Sequence, residues 1–296
     1  MQYNMYAGVV CMDDIRNISE RRREQISQLC LMDDIYMTLY FADNIPCTEL
    51  ILRIIMEKPD LMVKSVQVQR VLKNPQGRSV RLDVTAVDGE GVEYDIEVQR
   101  DDRGAAPQRA RYYASSMDAN HSDVGKYFEK LPQTCVIFIT ENDVLGLGLP
   151  LYVIERVILG VGKSFGDGSR IVYANASIQE DTPLGRLMHD FTCSDPDEMF
   201  YDLLKERDSY LKKDEGVREV SGVMEKILAE GIDLGMARGI EQGRARGIEQ
   251  GRAEGIDLGR AEGIDLGRSE GLAQAAQRMR EAGMSEEDIR RFTSPN

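Results

Sequence analysis

The stretch from Val80 to Gln99 constrains this chain most, because two strongly β-prone runs flank a turn rich in Gly and Asp. In the first run Leu82, Val84 and Ala86 alternate with Arg81, Asp83 and Thr85. In the second, Val92, Tyr94, Ile96 and Val98 alternate with Glu93, Asp95, Glu97 and Gln99. Strand side chains repeat with period 2, so Glu97 and Gln99 share a face. A hairpin can bring Asp83 onto that face beside Glu97. Two carboxylates converging from adjacent strands repel each other, and a divalent cation relieves the repulsion.

The turn decides whether they converge. A two-residue turn between Asp88 and Gly91 pairs residues whose numbers sum to 179, which faces Asp83 with Ile96 and sends Glu97 to the opposite side. A three-residue loop, Gly89-Glu90-Gly91, raises the sum to 180 and sets Asp83 opposite Glu97. A bulge would have the same effect. Three-residue hairpin loops favour Gly in the left-handed region, which Gly91 can supply. A metal site at this pair requires the odd loop.

With 296 residues, 42% hydrophobic and 30% charged, the chain can build one sizeable α/β domain plus an appendage. A formal charge of -14 argues against coating nucleic acid by bulk charge, and it leaves room for a local basic groove. Cys11, Cys30, Cys47, Cys135 and Cys193 form no CxxC pair, which points to reduced thiols in a cytoplasmic protein. His121 and His189 are the two histidines, too few for a His-rich zinc site. The start lacks a basic segment before an apolar one, so no signal peptide is expected. The longest apolar candidate, Leu149 to Val161, is broken by Glu155-Arg156 and is too short to span a membrane.

Residues 13 to 30 read as a polar helix in which Arg21-Arg22-Arg23 form a solvated face, with a phosphate contact as the alternative. Asp33 to Phe41 reads as a short helix capped by Asp33 or Asp34. Pro46 to Lys58 is a clearer helix with Leu50, Ile51, Ile54 and Ile55 on its apolar face. Glu49 lies in its first turn, where it either complements the helix dipole or serves as a third acid at the metal site. Val63 to Leu72 alternates as a strand, Asn74-Pro75-Gln76-Gly77 turns, and the hairpin completes a three-stranded meander.

Pro107 suits the first position of a helix running to about Asn120, which carries Gln108, Arg109, Arg111, Tyr112 and Tyr113 just after the acidic pair. The tyrosines read as core rather than as nucleophiles. Thr134 to Thr140 is a continuous apolar run, typical of a central strand. A helix and strand after a meander imply a crossover and a mixed sheet. Tyr152 to Leu159 and Arg170 to Ala176 read as further strands. Between them Gly160-Val-Gly-Lys-Ser164 imitates a phosphate loop, but Val157 stands where the first Gly belongs and a turn follows instead of a helix. A hairpin connection is expected there. Helices are expected from Thr182-Pro183 to Phe191 and from Pro196 to about Lys213, with His189 as a structural residue.

From Ala229 an octapeptide repeats, of the form A-E-G-I-D-L-G-R and A-R-G-I-E-Q-G-R, with Gly at every fourth position from Gly231 to Gly271. Ala, the absence of Pro, and acid-to-Arg spacing favour helix. Eleven glycines oppose it, at about 1 kcal/mol each relative to Ala. A lone helix should therefore be marginal. Two turns of 4.0 residues give no straight seam, far from the 3.5 or 3.67 of coiled coils. The repeat reads as a spacer or frayed helix, with self-association or partner binding as the other reading. A capped turn is expected at Ser285.

Several segments in order resemble the PD-(D/E)XK nuclease family transposases, related to the recombination-promoting nucleases. They are F-A-D-N-I-P-C-T-E-L-I-L-R-I-I (41–55), L-D-V-T-A (82–86), D-I-E-V-Q (95–99), R-A-R-Y-Y (109–113), V-I-F-I-T-E-N-D (136–143) and T-P-L-G-R-L-M-H-D-F (182–191). The resemblance spans about residues 30 to 215. It implies an α/β, restriction-endonuclease-like mixed sheet flanked by helices over 31–215. A helical segment over 1–30 precedes it, and a helical Gly-rich octapeptide-repeat tail over 216–296 follows.

The resemblance also implies Mg²⁺-dependent endonuclease hydrolysis of DNA, linked to recombination or mobile elements. Asp83 and Glu97 match the metal-binding carboxylates, Gln99 stands where the motif has Lys, Leu82 replaces the Pro, and Glu49 fits the first-helix acid. Gln99 can orient water or donate to phosphate, but it carries no charge. Charge stabilisation then falls to the metal, aided by Arg100, Arg109 or Arg111 as phosphate contacts. DNA is the implied partner, with no membrane. A homodimer would suit double-strand cleavage. The competing reading is a catalytically weak DNA-binding or protein-interaction module on a nuclease scaffold.

Overall fold

The computed structural model describes residues 12–74, 77–121 and 127–293. Cys11 and the Pro75-Gln76 part of the expected turn lie outside the described residues. The chain divides into two compact units, Met1–Glu225 and Lys226–Asn296.

In the first unit three helices, α1 (Met12–Ser27), α2 (Asp34–Phe41) and α3 (Ile45–Ile55), precede the meander β1 (Val63–Leu72), β2 (Val80–Asp88) and β3 (Glu93–Gln99). Helix α4 (Pro107–His121) crosses over to β4 (Thr134–Thr140). Then come β5 (Leu151–Ile154), a small hairpin of β6 (Val157–Ile158) and β7 (Lys163–Ser164), β8 (Ser169–Asn175), α5 (Pro183–Thr192) and α6 (Asp202–Leu211). The six-stranded mixed sheet has the order β1-β2-β3-β4-β8-β5. β3, β4 and β8 run parallel, and the remaining pairs are antiparallel.

The sheet is buried on both faces. One face, with Val84, Ala86, Tyr94, Ile96, Ile137 and Val172, packs in a core shared with α2, α3, α5, α6 and the first turns of the helix Asp214–Glu281. The other, with Phe138, Val136 and Tyr173, packs against Ala110, Tyr113, Ala114 and Met117 of α4. Right-handed crossover of α4 between parallel neighbours places it there. Burial extends to the polar side of the hairpin: α4 covers the polar face of β3, and all of β3 but Gln99 is buried.

The hairpin register follows the 180 sum. Val84 pairs with Ile96, Thr85 with Asp95, Ala86 with Tyr94 and Val87 with Glu93. The loop is Gly89-Glu90-Gly91: Asp88 N–H donates to Val92 O at 3.1 Å, Gly91 N–H donates to Asp88 O at 3.2 Å, and Gly91 has φ +86°. The Asp88 carboxylate accepts from Glu90 and Val92 N–H, each at 2.9 Å, which locks the odd loop.

Other expectations shift at their ends. The strand expected over Tyr152 to Leu159 stops at Ile154, because Glu155 and Arg156 turn away to pair with Arg170 and Asp167. Gly160 to Ser164 belongs to the β6–β7 hairpin, with Gly162 at φ +66°. Pro196 opens only a 3-10 turn (Pro196–Glu198), and α6 starts at Asp202. Helix α3 is capped by Asn44, whose Oδ1 accepts from Cys47 N–H at 3.2 Å. Arg21, Arg22 and Arg23 are exposed, and Arg22 pairs with Glu225 at 2.5 Å. His189 packs edge-on against Phe200 and contacts Asp190 at 3.2 Å. Cys30, Cys47, Cys135 and Cys193 are free and buried.

Helix α7 (Asp214–Glu281) carries the octapeptide repeats without a break, where a marginal or frayed helix was expected. Nothing lies within 4 Å of a Cβ added at Gly235 through Gly271, so packing does not require those glycines. Helix α8 (Glu286–Thr293) buries Ile289, and Ser285 Oγ caps it by accepting from Asp288 N–H at 3.3 Å. Among the described residues no helix is long and apolar enough to cross a membrane.

Candidate active site

The β2–β3 ladder ends at Val84–Ile96, one step short of Asp83 and Glu97. There the strands fork, and side chains replace the ladder. Asp83 N–H donates to Glu97 Oε1 at 2.9 Å, and Val98 N–H donates to the Asp83 carboxylate. β2 changes faces at this point. Leu82 joins the α4 core while Val84 joins the opposite one, so the single apolar face expected for Leu82, Val84 and Ala86 is divided. β1 is disturbed at the same level: Gln69 has φ +55° and its amide donates to Thr38 Oγ1 at 2.9 Å.

Glu97 is fully buried and Asp83 half-buried. Burial, then the Asp83 charge, pushes the Glu97 carboxyl up to about 8. Burial, then Asp34, pushes Asp83 up to about 6. Arg109, from the first turn of α4, works against this. Its Nη2 donates to Glu97 Oε2 at 3.0 Å, and its Nη1 donates to Gln99 Oε1 at 3.2 Å and Gly104 O at 2.8 Å. The guanidinium also lies 4.9 Å from the centre of the Tyr113 ring. Arg109 can only donate, so the Gln99 oxygen must face it and the amide NH₂ points elsewhere.

Gly104, in the 3-10 turn Asp102–Ala105, makes this arrangement possible. A Cβ there would lie 2.0 Å from Gln99 Oε1 and 3.4 Å from Arg109 Nη1. Gly104→Ala is therefore expected to swing the Gln99 amide aside and to shift the thermal midpoint little, which a structure of the variant and its melting curve check.

The other expected residues fall in different places. Glu49 is not brought to the pair: its Oε2 accepts from Val63 N–H at 2.8 Å and its Oε1 pairs with Arg53 at 2.6 Å, tying α3 to β1. The acid that reaches the pair from a helix is Asp34, whose charge raises both Asp83 and Glu97. Arg100 brings the start of α2 there, since its Nη2 lies 3.3 Å from Asp33 Oδ2 and 3.1 Å from Cys30 Sγ. Asp33 takes the N-cap position of α2, but its carboxylate accepts from Cys30 N–H at 3.0 Å instead of capping the helix, and nothing local marks Asp34 as an acid of the site. Arg111 is exposed, Tyr113 is buried against Phe138, and the Tyr112 hydroxyl donates to Arg78 O.

Asp95 also went unnoticed. It lies two residues before Glu97 on the same face, is fully buried, and neither carboxylate oxygen has a hydrogen-bond partner. Burial, then Glu97 and Asp83, holds it well above the usual carboxylate range. Glu93, at the far end of that row, is compensated by Arg70 and His121.

The donor set suits a hard divalent cation. Mg²⁺ is commonly held by one or two carboxylates, with water and substrate phosphate completing its shell. Glu97 and Asp83, each raised by burial and by a neighbouring acid, provide that. Among the described residues no group of three or more His, Cys, Asp or Glu has the arrangement of a dedicated protein cage.

Residues 55–146 match the family model of the PD-(D/E)XK nuclease family transposases. The PD-(D/E)XK match contains the fork, Gln99, Gly104, Arg109 and the crossover to β4. It is shorter than the 30–215 stretch of resemblance, and Asp34 and Glu49 lie outside it. No curated protein and no solved structure matches the chain.

Proposed function

We propose that this protein is a divalent-cation-dependent DNA endonuclease of the PD-(D/E)XK type, related to mobile elements, with Mg²⁺ as its metal. The observation that carries the reading is the fork, where the Glu97 carboxylate accepts from Asp83 N–H, the Asp83 carboxylate accepts from Val98 N–H, and burial with a neighbouring acid raises both carboxyls. Asp83 and Glu97 would hold the cation, with Asp34 at the rim. When bound, the cation activates a water and offsets phosphate charge.

The chain's own groups do the rest. Arg109 fixes Glu97 and Gln99 in one plane and brings to the site the positive charge that the motif lysine would otherwise supply. Gln99, its oxygen held, directs its NH₂ to a phosphate oxygen or the attacking water. The exposed Arg111, and Arg100 beside Asp33, would meet DNA phosphates flanking the scissile one. The α4 core seals the carboxylate row from bulk water on one side.

Plasmid cleavage with Mg²⁺ or EDTA tests the reading, comparing the parent with Asp83→Ala and Glu97→Ala. Metal-dependent cleavage lost in both variants is expected. Cleavage that survives both removes the site, and binding without cleavage in the parent favours the DNA-binding module.

A further inference from the structure

We propose that the free edge of β5 and the β6–β7 hairpin form a contact surface for a second copy of this chain. β5 ends the sheet, with β8 on one side only. An edge strand presents unpaired backbone groups and is normally shielded by charge, Pro or a covering element. The exposed side chains here are apolar: Val153 on β5, and five more on or beside the hairpin. Leu159 is 95% exposed, Val161 66%, Phe165 62% and Val153 56%, with Val157 and Ile158 about half exposed.

At those exposures the six side chains show roughly 600 Å² of apolar surface. That reaches the upper end of the largest patch on ordinary monomers. It also matches the apolar share of the ~800 Å² that each partner contributes to a standard interface.

The charges favour a second copy over an oppositely charged partner. From Val153 to Arg170 there are three basic residues (Arg156, Lys163, Arg170) and two acidic ones (Glu155, Asp167), a net of +1 in a chain of -14. Four of the five pair within the chain: Arg156 with Asp167, and Arg170 Nε with Glu155 at 2.8 Å. Two copies otherwise repel by net charge, and this surface is where they can meet without it. An antiparallel strand edge also satisfies its own twin about a two-fold axis.

The hairpin stands apart from the end of the sheet that holds Gln99. Ser169, next to the hairpin, is level with Thr134 and Glu93, whereas Gln99 is level with Thr140 and Asn175. Six residues of strand separate the two levels, about 20 Å at 3.3 Å per residue. Loss of the contact should therefore leave cleavage chemistry in place, and the inference stands or falls independently of the nuclease reading.

Sedimentation of the full chain over about 1–100 µM tests it, alongside the double variant Leu159→Glu with Phe165→Glu. The parent is expected at twice 33.3 kDa. The variant is expected to be a monomer, with self-affinity weakened at least about 100-fold and with unchanged metal-dependent nicking. Hydrogen exchange on the parent provides a variant-free readout, with amides of 153–165 gaining protection as concentration rises. A parent that stays at 33.3 kDa overturns the proposal, as does a dimer that survives the double variant in its folded form. If the variant unfolds, exchange at 153–165 that is independent of concentration overturns it.

Discussion

Replacing Asp83 with Asn is expected to abolish cleavage and, in the same protein, to raise the thermal midpoint at pH 8 without divalent metal. Both effects come from one cause. In the metal-free fold Asp83 and Glu97 are held at about 6 and about 8, above the values they have in an unfolded chain. A carboxyl raised on folding favours the fold while protonated. Its contribution is complete below about pH 4 and is lost as pH climbs through the folded value. The metal-free protein should therefore lose stability progressively from about pH 4 to pH 8, on the order of a few kcal/mol in total.

Asp83→Asn and Glu97→Gln keep the shape and remove the charge, so each should flatten that decline. At pH 8 the gain should be about 1–3 kcal/mol, or several degrees in midpoint. Mg²⁺ should stabilise the parent more at pH 8 than at pH 6, because its ligands must lose protons to bind it. The same substitutions remove a ligand and should cost cleavage at least about 1,000-fold. Melting curves between pH 5 and 8.5, with and without Mg²⁺, read the first effect, and single-turnover cleavage reads the second. Variants that melt below the parent at pH 8 in EDTA would contradict the electrostatic account of the fork.

Arg109→Ala should lower cleavage by roughly 100- to 1,000-fold, the usual cost of removing one preorganised donor from a site of developing charge. The guanidinium holds Glu97, Gln99 and Gly104 O together, so its loss also frees the Gln99 amide. Glu97 would rise further and stay protonated at neutral pH, so the acid limb of the pH–rate profile should move to higher pH. Arg109→Lys restores the charge but not the fork of donors, and should recover only part of the rate. The limb shift separates this role from simple packing, since loss of the contact with Tyr113 alone would lower the melting point without moving the pH profile. Parent-level cleavage by Arg109→Ala would remove Arg109 from the mechanism.

The hairpin shows which information is local. Asp88, Gly89 and Gly91 suit a three-residue loop, and the structure takes the 180 register rather than 179, which brings Asp83 and Glu97 to the same end of the ladder. Period 2 in β3 put Asp95, Glu97 and Gln99 on one face, and Pro107 announced the crossover helix. These features depend on residues a few positions apart, where sterics and hydrogen bonding act without the rest of the chain.

What the sequence by itself determined was therefore the meander and the two carboxylates that its hairpin could bring together, with the register left to the turn. Only the tertiary structure decided how those acids are used. The fork at Asp83, the change of face between Leu82 and Val84, and the burial of the polar side of β3 all follow from α4 docking across the sheet. The choice of Asp34 over Glu49 follows from α2 meeting the end of β3 through Arg100. The pairing of Arg109 with Glu97 joins residues twelve apart on different elements. Burial, and with it the raised carboxyls, is a property of the assembled layers. Desolvation depends on what lies on the far side of a residue, and no local pattern in the chain specifies that.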